Sequence, residues 1–226
     1  SSGGAHLVQM LNILERWPLR DWGPNSAQTV HHMAEAMKLA YADRAEYLGD
    51  PAFVSVPLAG LTSKKYADTL AQHIRPDSAR SAQTIKPGQP LPFESDQTTH
   101  YSVVDQAGNM VAVTYTLNTN FGSGIVAAGT GILLNNEMDD FSAKPGVPNA
   151  YGLVGGAANA VAAGKRPLSS MTPTLVLKDQ QPWLVTGSPG GARIITTVLQ
   201  QIVNGIDFGM NPAEAAATVR FHHQWM

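Results

Sequence analysis

The pattern of apolar and polar positions is helical over the first third of the chain. In AHLVQMLNILERW, residues 5–17, the apolar side chains recur at spacings of three and four residues and therefore share one face of a helix: Leu7, Met10, Leu11 and Leu14. Residues 25–48 carry a second such face, formed by Val30, Met33, Met37, Ala40 and Tyr41. A third, shorter helix is predicted from Thr62 or Ser63 through Ile74.

A proline-rich stretch separates this helical part from a part with strand periodicity. Residues 75–97 contain four prolines and almost no apolar period, which predicts an extended, exposed linker accessible to cleavage. The period then becomes two, because THYSVVD and NMVAVTYTLN flank a turn at Gly108 and predict a β-hairpin. A glycine-rich loop over residues 121–131 follows, and two further strands are predicted in TPTLVLKD and PWLVTGS.

Two helices are predicted after these strands. One runs from about Ala192 to Ile206. The next has Asn211 as N-cap, Pro212 at the first helical position and Glu214 three residues after the cap, which is a capping-box arrangement. Helices, then strands, then helices predict an α+β fold of packed layers.

The bulk composition narrows the classes of partner and chemistry. A net charge of −2 and a pI near 6.4 give no reason to expect nucleic acid or an anionic membrane as partner. The 226 residues include no cysteine, which excludes disulfides, thiolate metal sites and a cysteine nucleophile. Only 14% of the residues are charged and the chain begins at Ser1 without a methionine, so we expect an internal fragment of a longer protein.

The junction between linker and strands, ESDQTTHYSVVD, contains a candidate nucleophile. If the chain is cut between Gln97 and Thr98, the freed α-amine of Thr98 can take the proton of its own hydroxyl. The same hydroxyl can cause the cut by attacking the Gln97 carbonyl. Taken alone, the stretch more often marks a linker that joins a strand.

A glycine turn offers oxyanion donors for such a nucleophile. Gly187, Gly190 and Gly191 precede an apolar helix, so that their backbone N–H groups can be aimed at one point. The alternative is a tight strand-to-helix turn that needs glycine for steric reasons.

A set of polar loop residues suits an amino-acid-like ligand. Carboxylates and an amide carbonyl can bind an ammonium, and paired hydroxyls can donate to a carboxylate. The candidates are Asn118, Glu137, Asp140, Ser169 and Ser170. Helix caps, Asx turns and a solvated acidic loop remain the alternatives for each of them.

Five motifs, in this order, resemble the γ-glutamyltransferases, also called γ-glutamyltranspeptidases: TTHYSVVD, VAVTYTLN, GILLNNEMDDFS, KRPLSSMTPT and GSPGGARIITTVLQ. The resemblance covers essentially the whole chain. It implies an α+β N-terminal-nucleophile hydrolase fold, an αββα sandwich that is incomplete in this fragment. Residues 1–97 resemble the C-terminal part of the large subunit, helical and ending in the processing linker 75–97. Residues 98–226 resemble the N-terminal part of the small subunit.

The resemblance also implies a role for each candidate residue. Thr98 is the nucleophile, Thr116 orients it through a hydroxyl, and Gly190 and Gly191 are the oxyanion donors. The α-ammonium of the substrate is held by Asn118, Glu137 and Asp140, and its α-carboxylate by Ser169 and Ser170. A further carboxylate-binding arginine is expected in an earlier part of the large subunit, outside this chain.

The implied activity is hydrolysis and transfer of γ-glutamyl groups from glutathione and related amides, through a γ-glutamyl-Thr98 ester and without a cofactor or metal. The expected partners are the small-molecule donor, a water or amino-acid acceptor, and the two subunits of one precursor, in the periplasm or secreted. The fragment by itself is expected to be inactive. Two rivals remain, namely a cephalosporin or glutaryl acylase of the same superfamily and a processing-dead paralogue that only binds.

Overall fold

The helical pattern of the first third is confirmed. The structure is a computed structural model that describes residues 2–85 and 98–225, and in it α1 spans Gly3–Leu14 and α3 spans Ala27–Tyr47. Ser26 caps α3, because its side chain accepts a hydrogen bond from the Thr29 N–H at 3.1 Å. The predicted apolar faces of both helices lie in one core, except that Leu11 is only partly buried and Val30 is half-buried outside the buried cluster.

Two one-turn helices were not predicted, and the third predicted helix is shorter than expected. These are α2, Leu19–Trp22, and α4, Leu58–Leu61, both too short to show a period. α5 spans Lys64–Ala71 and begins, as predicted, after Ser63, which caps it. The predicted end at Ile74 is wrong, because Ile74 is buried in a turn beyond the helix and therefore extends the apolar pattern.

The beginning of the predicted linker is docked on the core rather than fully exposed. Lys38 Nζ donates to the Arg80 carbonyl at 2.7 Å, and Trp225 Nε1 donates to the Ile85 carbonyl at 2.8 Å. Ile85 itself is buried. An apolar side chain and two paired carbonyls thus hold this end of the linker, and residues 86–97 lie outside the described residues.

Two antiparallel hairpins follow, as the period of two predicts. β1, Thr99–Val104, pairs with β2, Met110–Tyr115, and β3, Thr174–Lys178, pairs with β4, Gln181–Thr186. Gly108 lies in the first turn with a φ of +83°, a conformation that glycine adopts without strain. The two hairpins contact each other.

The sandwich is incomplete in the described part of the chain. Each sheet has two strands there, and several apolar strand side chains are exposed, among them Tyr101, Val103, Val111, Tyr115, Leu175 and Leu177. Two-stranded ribbons cannot cover such faces by themselves. The α+β class is confirmed.

The two predicted helices after the strands are present. α6 spans Ile194–Ile206 and follows a 3₁₀ turn at Gly191–Arg193, while α7 spans Pro212–Ala217. The capping box is confirmed, since the Glu214 N–H donates to Asn211 Oδ1 at 3.0 Å and the Asn211 N–H donates to Glu214 Oε2 at 2.9 Å.

One hydrophobic core joins the segments before and after Thr98. The apolar face of α6 packs with α1 and belongs to the same buried cluster as the faces of α1 and α3. The Tyr41 hydroxyl donates to the Ala192 carbonyl at 2.5 Å. Arg166 donates to Asp50 through Nη2 at 2.6 Å and through Nε at 3.1 Å, which is a bidentate ion pair.

Candidate active site

Thr98 and Thr116 lie at the open end of the first hairpin. Thr98 directly precedes β1 and Thr116 directly follows β2, and the register pairs Thr99 with Tyr115. Continuing that register by one position sets Thr98 opposite Thr116 on one face. Both threonines are half-buried and line one cavity of about 240 Å³, together with Leu117 and neighbouring residues.

Asn118 is held rigidly beside this pair. It is buried, has a φ of +76°, and donates its backbone N–H to Thr116 Oγ1 at 2.9 Å. Its side-chain Nδ2 donates to the Asn136 carbonyl at 3.2 Å, and its own carbonyl accepts from the Tyr151 hydroxyl. The side-chain amide nitrogen is therefore engaged, which leaves Oδ1 as the atom of Asn118 suited to accept from an ammonium.

The acidic candidates lie on a 3₁₀ turn that follows Asn136. The turn spans Glu137–Asp140, and both of these carboxylates are half-buried. Burial, then the hydrogen bond and the charge of Glu137, raise the pKa of the Asp140 carboxyl to about 8, while the Arg44 cation opposes them. Such a site favours a bound cation, because an ammonium would relieve the repulsion between the two acids.

The serine pair is tied to the helical part by Arg44. Arg44 Nη2 donates to Ser170 Oγ at 3.0 Å and Arg44 Nε donates to Ser2 Oγ at 3.1 Å. Ser2 Oγ in turn donates to the Ser169 carbonyl at 2.9 Å. Ser169 and Ser170 are half-buried, and Ser169 Oγ accepts a hydrogen bond from the Met171 N–H at 3.1 Å.

The glycine turn faces a different cavity from that of Thr98. Gly190, with a φ of +125°, lines a cavity of about 720 Å³ together with Arg193, Arg220 and His222. Gly191 has a φ of +51° and starts the 3₁₀ turn before α6.

The candidate residues line more than one cavity in the described part of the chain. The residues lining the Thr98 cavity do not include Gly190, Gly191, Asp140 or the serine pair. Gly187, which precedes this turn, packs directly on the ring of His100 in β1.

Sequence reasoning missed two residues that organise the site. Arg44 lies in the last turn of α3, and no local pattern indicates its contact with Ser170. Tyr151 follows a loop, and nothing around it indicates its bond to Asn118. Both contacts join residues far apart in the chain, and only the fold brings them together.

A metal-binding cluster and a membrane-spanning helix are both absent from the described residues. Residues 2–85 and 98–225 contain no cluster of three or more histidine or acidic side chains arranged to hold a metal ion. None of the helices in these ranges combines the length and the apolar character needed to cross a bilayer.

The chain is similar along its whole length to proteins of one family. Residues 1–226 match the family model described as gamma-glutamyltranspeptidase. The glutathione hydrolase proenzyme of Escherichia coli strain K12 is 65% identical over 226 residues, which are 100% of this chain and 39% of that protein. The acylase ACY 1 proenzyme of Pseudomonas sp. strain SE83 is 41% identical over 220 residues, 97% of this chain and 37% of that protein. The chain therefore spans 39% of the length of the Escherichia coli relative.

Solved structures show the same fold. A mutant of Helicobacter pylori gamma-glutamyltranspeptidase matches with a TM-score of 0.56 and 65% identity, covering 56% of this chain and 68% of that chain. Cephalosporin acylase from Bacillus halodurans matches with a TM-score of 0.71 and 28% identity, covering 96% of this chain and 36% of that chain. The prediction of an N-terminal-nucleophile hydrolase fold is confirmed by these neighbours.

Proposed function

The chain belongs to the gamma-glutamyltranspeptidase family, and on that premise we propose that it carries the nucleophile and part of the donor pocket of a γ-glutamyl hydrolase and transferase. The observation that carries this proposal is the position of Thr98 and Thr116 at the open end of one hairpin, lining one cavity. Glutathione and related γ-glutamyl amides are the proposed donors. The name of the Escherichia coli relative, a glutathione hydrolase, supports that substrate class.

The proposed reaction has two acyl-transfer steps. Thr98 Oγ attacks the γ-carbonyl of the donor while the freed α-amine of Thr98 takes the hydroxyl proton. Gly190 and Gly191 are proposed as the oxyanion donors from the motif match alone, and that role requires their N–H groups to come within hydrogen-bond reach of the Thr98 cavity in the complete protein. The intermediate collapses to a γ-glutamyl-Thr98 ester as the α-ammonium protonates the leaving amine. Water or an amino acid then attacks the ester with the same amine as base, and this restores the Thr98 hydroxyl.

The polar residues around the nucleophile are proposed to select the donor. Asn118 Oδ1, Glu137 and Asp140 would hold the α-ammonium, and the Ser169 and Ser170 hydroxyls the α-carboxylate. Both charges lie at the end of the γ-glutamyl group remote from the scissile amide, so binding them fixes which carbonyl meets Thr98.

Self-processing of a precursor is part of the proposal. A free α-amine on Thr98 requires a cut after Gln97, so the large and small subunits would come from one precursor, as the proenzyme names of the relatives support. Gln97 lies outside the described residues. A periplasmic or secreted location is proposed from the family expectation alone.

The test compares two anilide donors that differ in one group. The polypeptide encoded by the complete gene is assayed with L-γ-glutamyl anilide and with glutaryl anilide, which lacks the α-ammonium. We expect kcat/KM to favour the γ-glutamyl donor by on the order of a hundredfold or more, because the glutaryl group leaves the acidic residues unpaired.

The remaining outcomes separate the rivals. Preference for the glutaryl donor would identify an acylase instead. Binding of L-glutamate with no turnover of either anilide would identify a binding paralogue. The variant Thr98→Ala is the control for background hydrolysis, and an undiminished rate in it would refute the proposed nucleophile.

A further inference from the structure

Arg44 is a buried cation that faces several parts of the proposed donor pocket at once. Arg44 is only 5% exposed, although it lies in the last turn of α3. Its guanidinium donates through Nε to Ser2 Oγ at 3.1 Å and through Nη2 to Ser170 Oγ at 3.0 Å. It also acts electrostatically on Asp140. A planar guanidinium held by two such hydrogen bonds has little freedom to move.

The contact with Ser170 fixes what that hydroxyl can do. A guanidinium only donates, so Ser170 Oγ uses a lone pair to accept from Arg44. The hydroxyl proton of Ser170 must then point away from Arg44, where it can be donated to another acceptor. An anionic ligand group is an acceptor of this kind, and a carboxylate accepts such bonds well.

Ser169 is connected to the same cation through Ser2. The Ser2 N–H and the Ser2 hydroxyl both donate to the Ser169 carbonyl, each at 2.9 Å. The Ser2 hydroxyl thus accepts from Arg44 and donates to Ser169, so both of its roles are filled. The backbone of the serine pair is therefore held against the ends of two helices, α1 and α3.

We propose that Arg44 is a positioning residue of the donor pocket, which orients the Ser170 hydroxyl towards the α-carboxylate. This inference rests on the proposed function. Arg44 itself does not have to touch the donor, since it acts through Ser170. Its charge also lowers the pKa of the Asp140 carboxyl.

The groups that surround Asp140 and Arg44 determine the expected pH dependence of kcat/KM. Asp140 is surrounded by Glu137, Asp139, Tyr151 and Arg44, and Arg44 by His6, Tyr41 and Asp140. Among the groups around Asp140, Arg44 is the one that lowers the pKa of its carboxyl. Removing Arg44 should therefore raise that pKa further and move the acid limb of kcat/KM to higher pH.

The experiment measures binding of three inhibitors to Arg44→Met in the polypeptide encoded by the complete gene. L-Glutamate carries both charges, glutarate lacks the ammonium, and 4-aminobutyrate lacks the α-carboxylate. Above the acid limb, we expect the inhibition constants of L-glutamate and glutarate to rise roughly tenfold to a hundredfold, as when a charged donor is lost. The constant of 4-aminobutyrate should change much less, and kcat per titrated active site should fall little.

Two further variants separate positioning from general damage. Arg44→Lys keeps the charge but not the paired Nε and Nη2 donors, so it should restore the acid limb and not the affinity for glutarate. If Arg44→Met does not fold, the same inhibition constants are measured on Arg44→Lys instead. Arg16→Met is the matched control, because Arg16 pairs with Asp68 on α5 and should leave all three constants unchanged.

The outcomes distinguish this inference from the proposed function. An active wild type whose Arg44 variants keep all inhibition constants and the acid limb would overturn the role of Arg44 alone. A wild type without γ-glutamyl activity would overturn the proposed function and, with it, this inference. Equal weakening of all three inhibitors would show that Arg44 only supports the fold.

Discussion

The hydroxyl of Tyr151 donates a hydrogen bond to the backbone carbonyl of Asn118, across 33 residues of chain. Asn118 has a positive φ, and its N–H is bonded to Thr116. Tyr151 thereby helps to hold Asn118 in an uncommon backbone conformation beside the proposed nucleophile.

Replacing Tyr151 by phenylalanine should leave that buried carbonyl unpaired. We expect Tyr151→Phe to lower the free energy of unfolding by about 1–3 kcal/mol, the usual cost of an unsatisfied buried group. The KM for a γ-glutamyl anilide should also rise, because Asn118 Oδ1 is no longer held in place. Chemical denaturation and steady-state kinetics measure the two effects. Tyr47→Phe, at an exposed tyrosine, is the control, and equal effects in both variants would refute this role.

The processing reaction should depend on the hydroxyl of Thr98. We expect Thr98→Ala to give an uncleaved and inactive chain, whereas Thr98→Ser keeps a hydroxyl and can still be cut. Thr99→Ala should be cleaved normally, because adjacent strand residues point to opposite faces. N-terminal sequencing of the small subunit checks this, and any first residue other than Thr98 contradicts the mechanism.

The acid limb of the donor reaction should reflect Asp140. Burial and Glu137 raise the pKa of the Asp140 carboxyl to about 8, and the carboxyl must be ionised to pair with an ammonium. The value of kcat/KM should therefore rise as the pH rises through the raised pKa of Asp140, in addition to the rise caused by deprotonation of the Thr98 α-amine. Glu137→Gln removes the charge that raises this pKa, so the limb should move to lower pH. A pH profile of kcat/KM for the γ-glutamyl anilide decides the matter, and an unshifted limb would contradict the coupling.

Acid should destabilise the fold through His6. Burial, followed by the nearby Arg44 cation, lowers the pKa of the His6 imidazole to about 3. The unfolded chain takes up a proton below about 6.5 and the folded chain does not, so stability is complete above that pH and is lost as the pH falls towards 3. The contribution is at most about 1.4 kcal/mol per pH unit.

The matching measurement is the pH dependence of the unfolding free energy in His6→Gln. This variant should show a shallower slope between pH 3 and 6.5 than the wild type. His73→Gln, at an exposed histidine, should keep the full slope. A slope that His6→Gln leaves unchanged would show that other groups cause the acid loss.

The elements that could be predicted from the sequence are those encoded by local patterns. The apolar stripes of α1 and α3, the alternation in the hairpins and the capping box at Asn211 and Glu214 all concern residues within one element. One-turn helices such as α2 and α4 are too short to show a hydrophobic period in the sequence. Their ends and that of α5 depend on tertiary packing.

The same distinction applies to the candidate site, where local contacts could be predicted from the sequence and long-range contacts could not. The motifs brought Thr98 and Thr116 together because one short hairpin connects them. The bond from Arg44 to Ser170 spans 126 residues, and no pattern along the chain encodes such a contact. The close approach of Gly187 to the His100 ring joins residues 87 positions apart, and it is likewise a property of the folded state.

The buried cluster shared by α1, α3 and α6 has a consequence for the mature protein. If the chain is cut before Thr98, these helices belong to two polypeptides that still share one core. In the precursor the linker keeps both halves at a high effective concentration, and the cut removes that advantage. Once unfolded, the two pieces would have to find each other by diffusion, and reassembly would depend on dilution. The mature protein would then persist because unfolding is slow, and its durability would be kinetic rather than an equilibrium property.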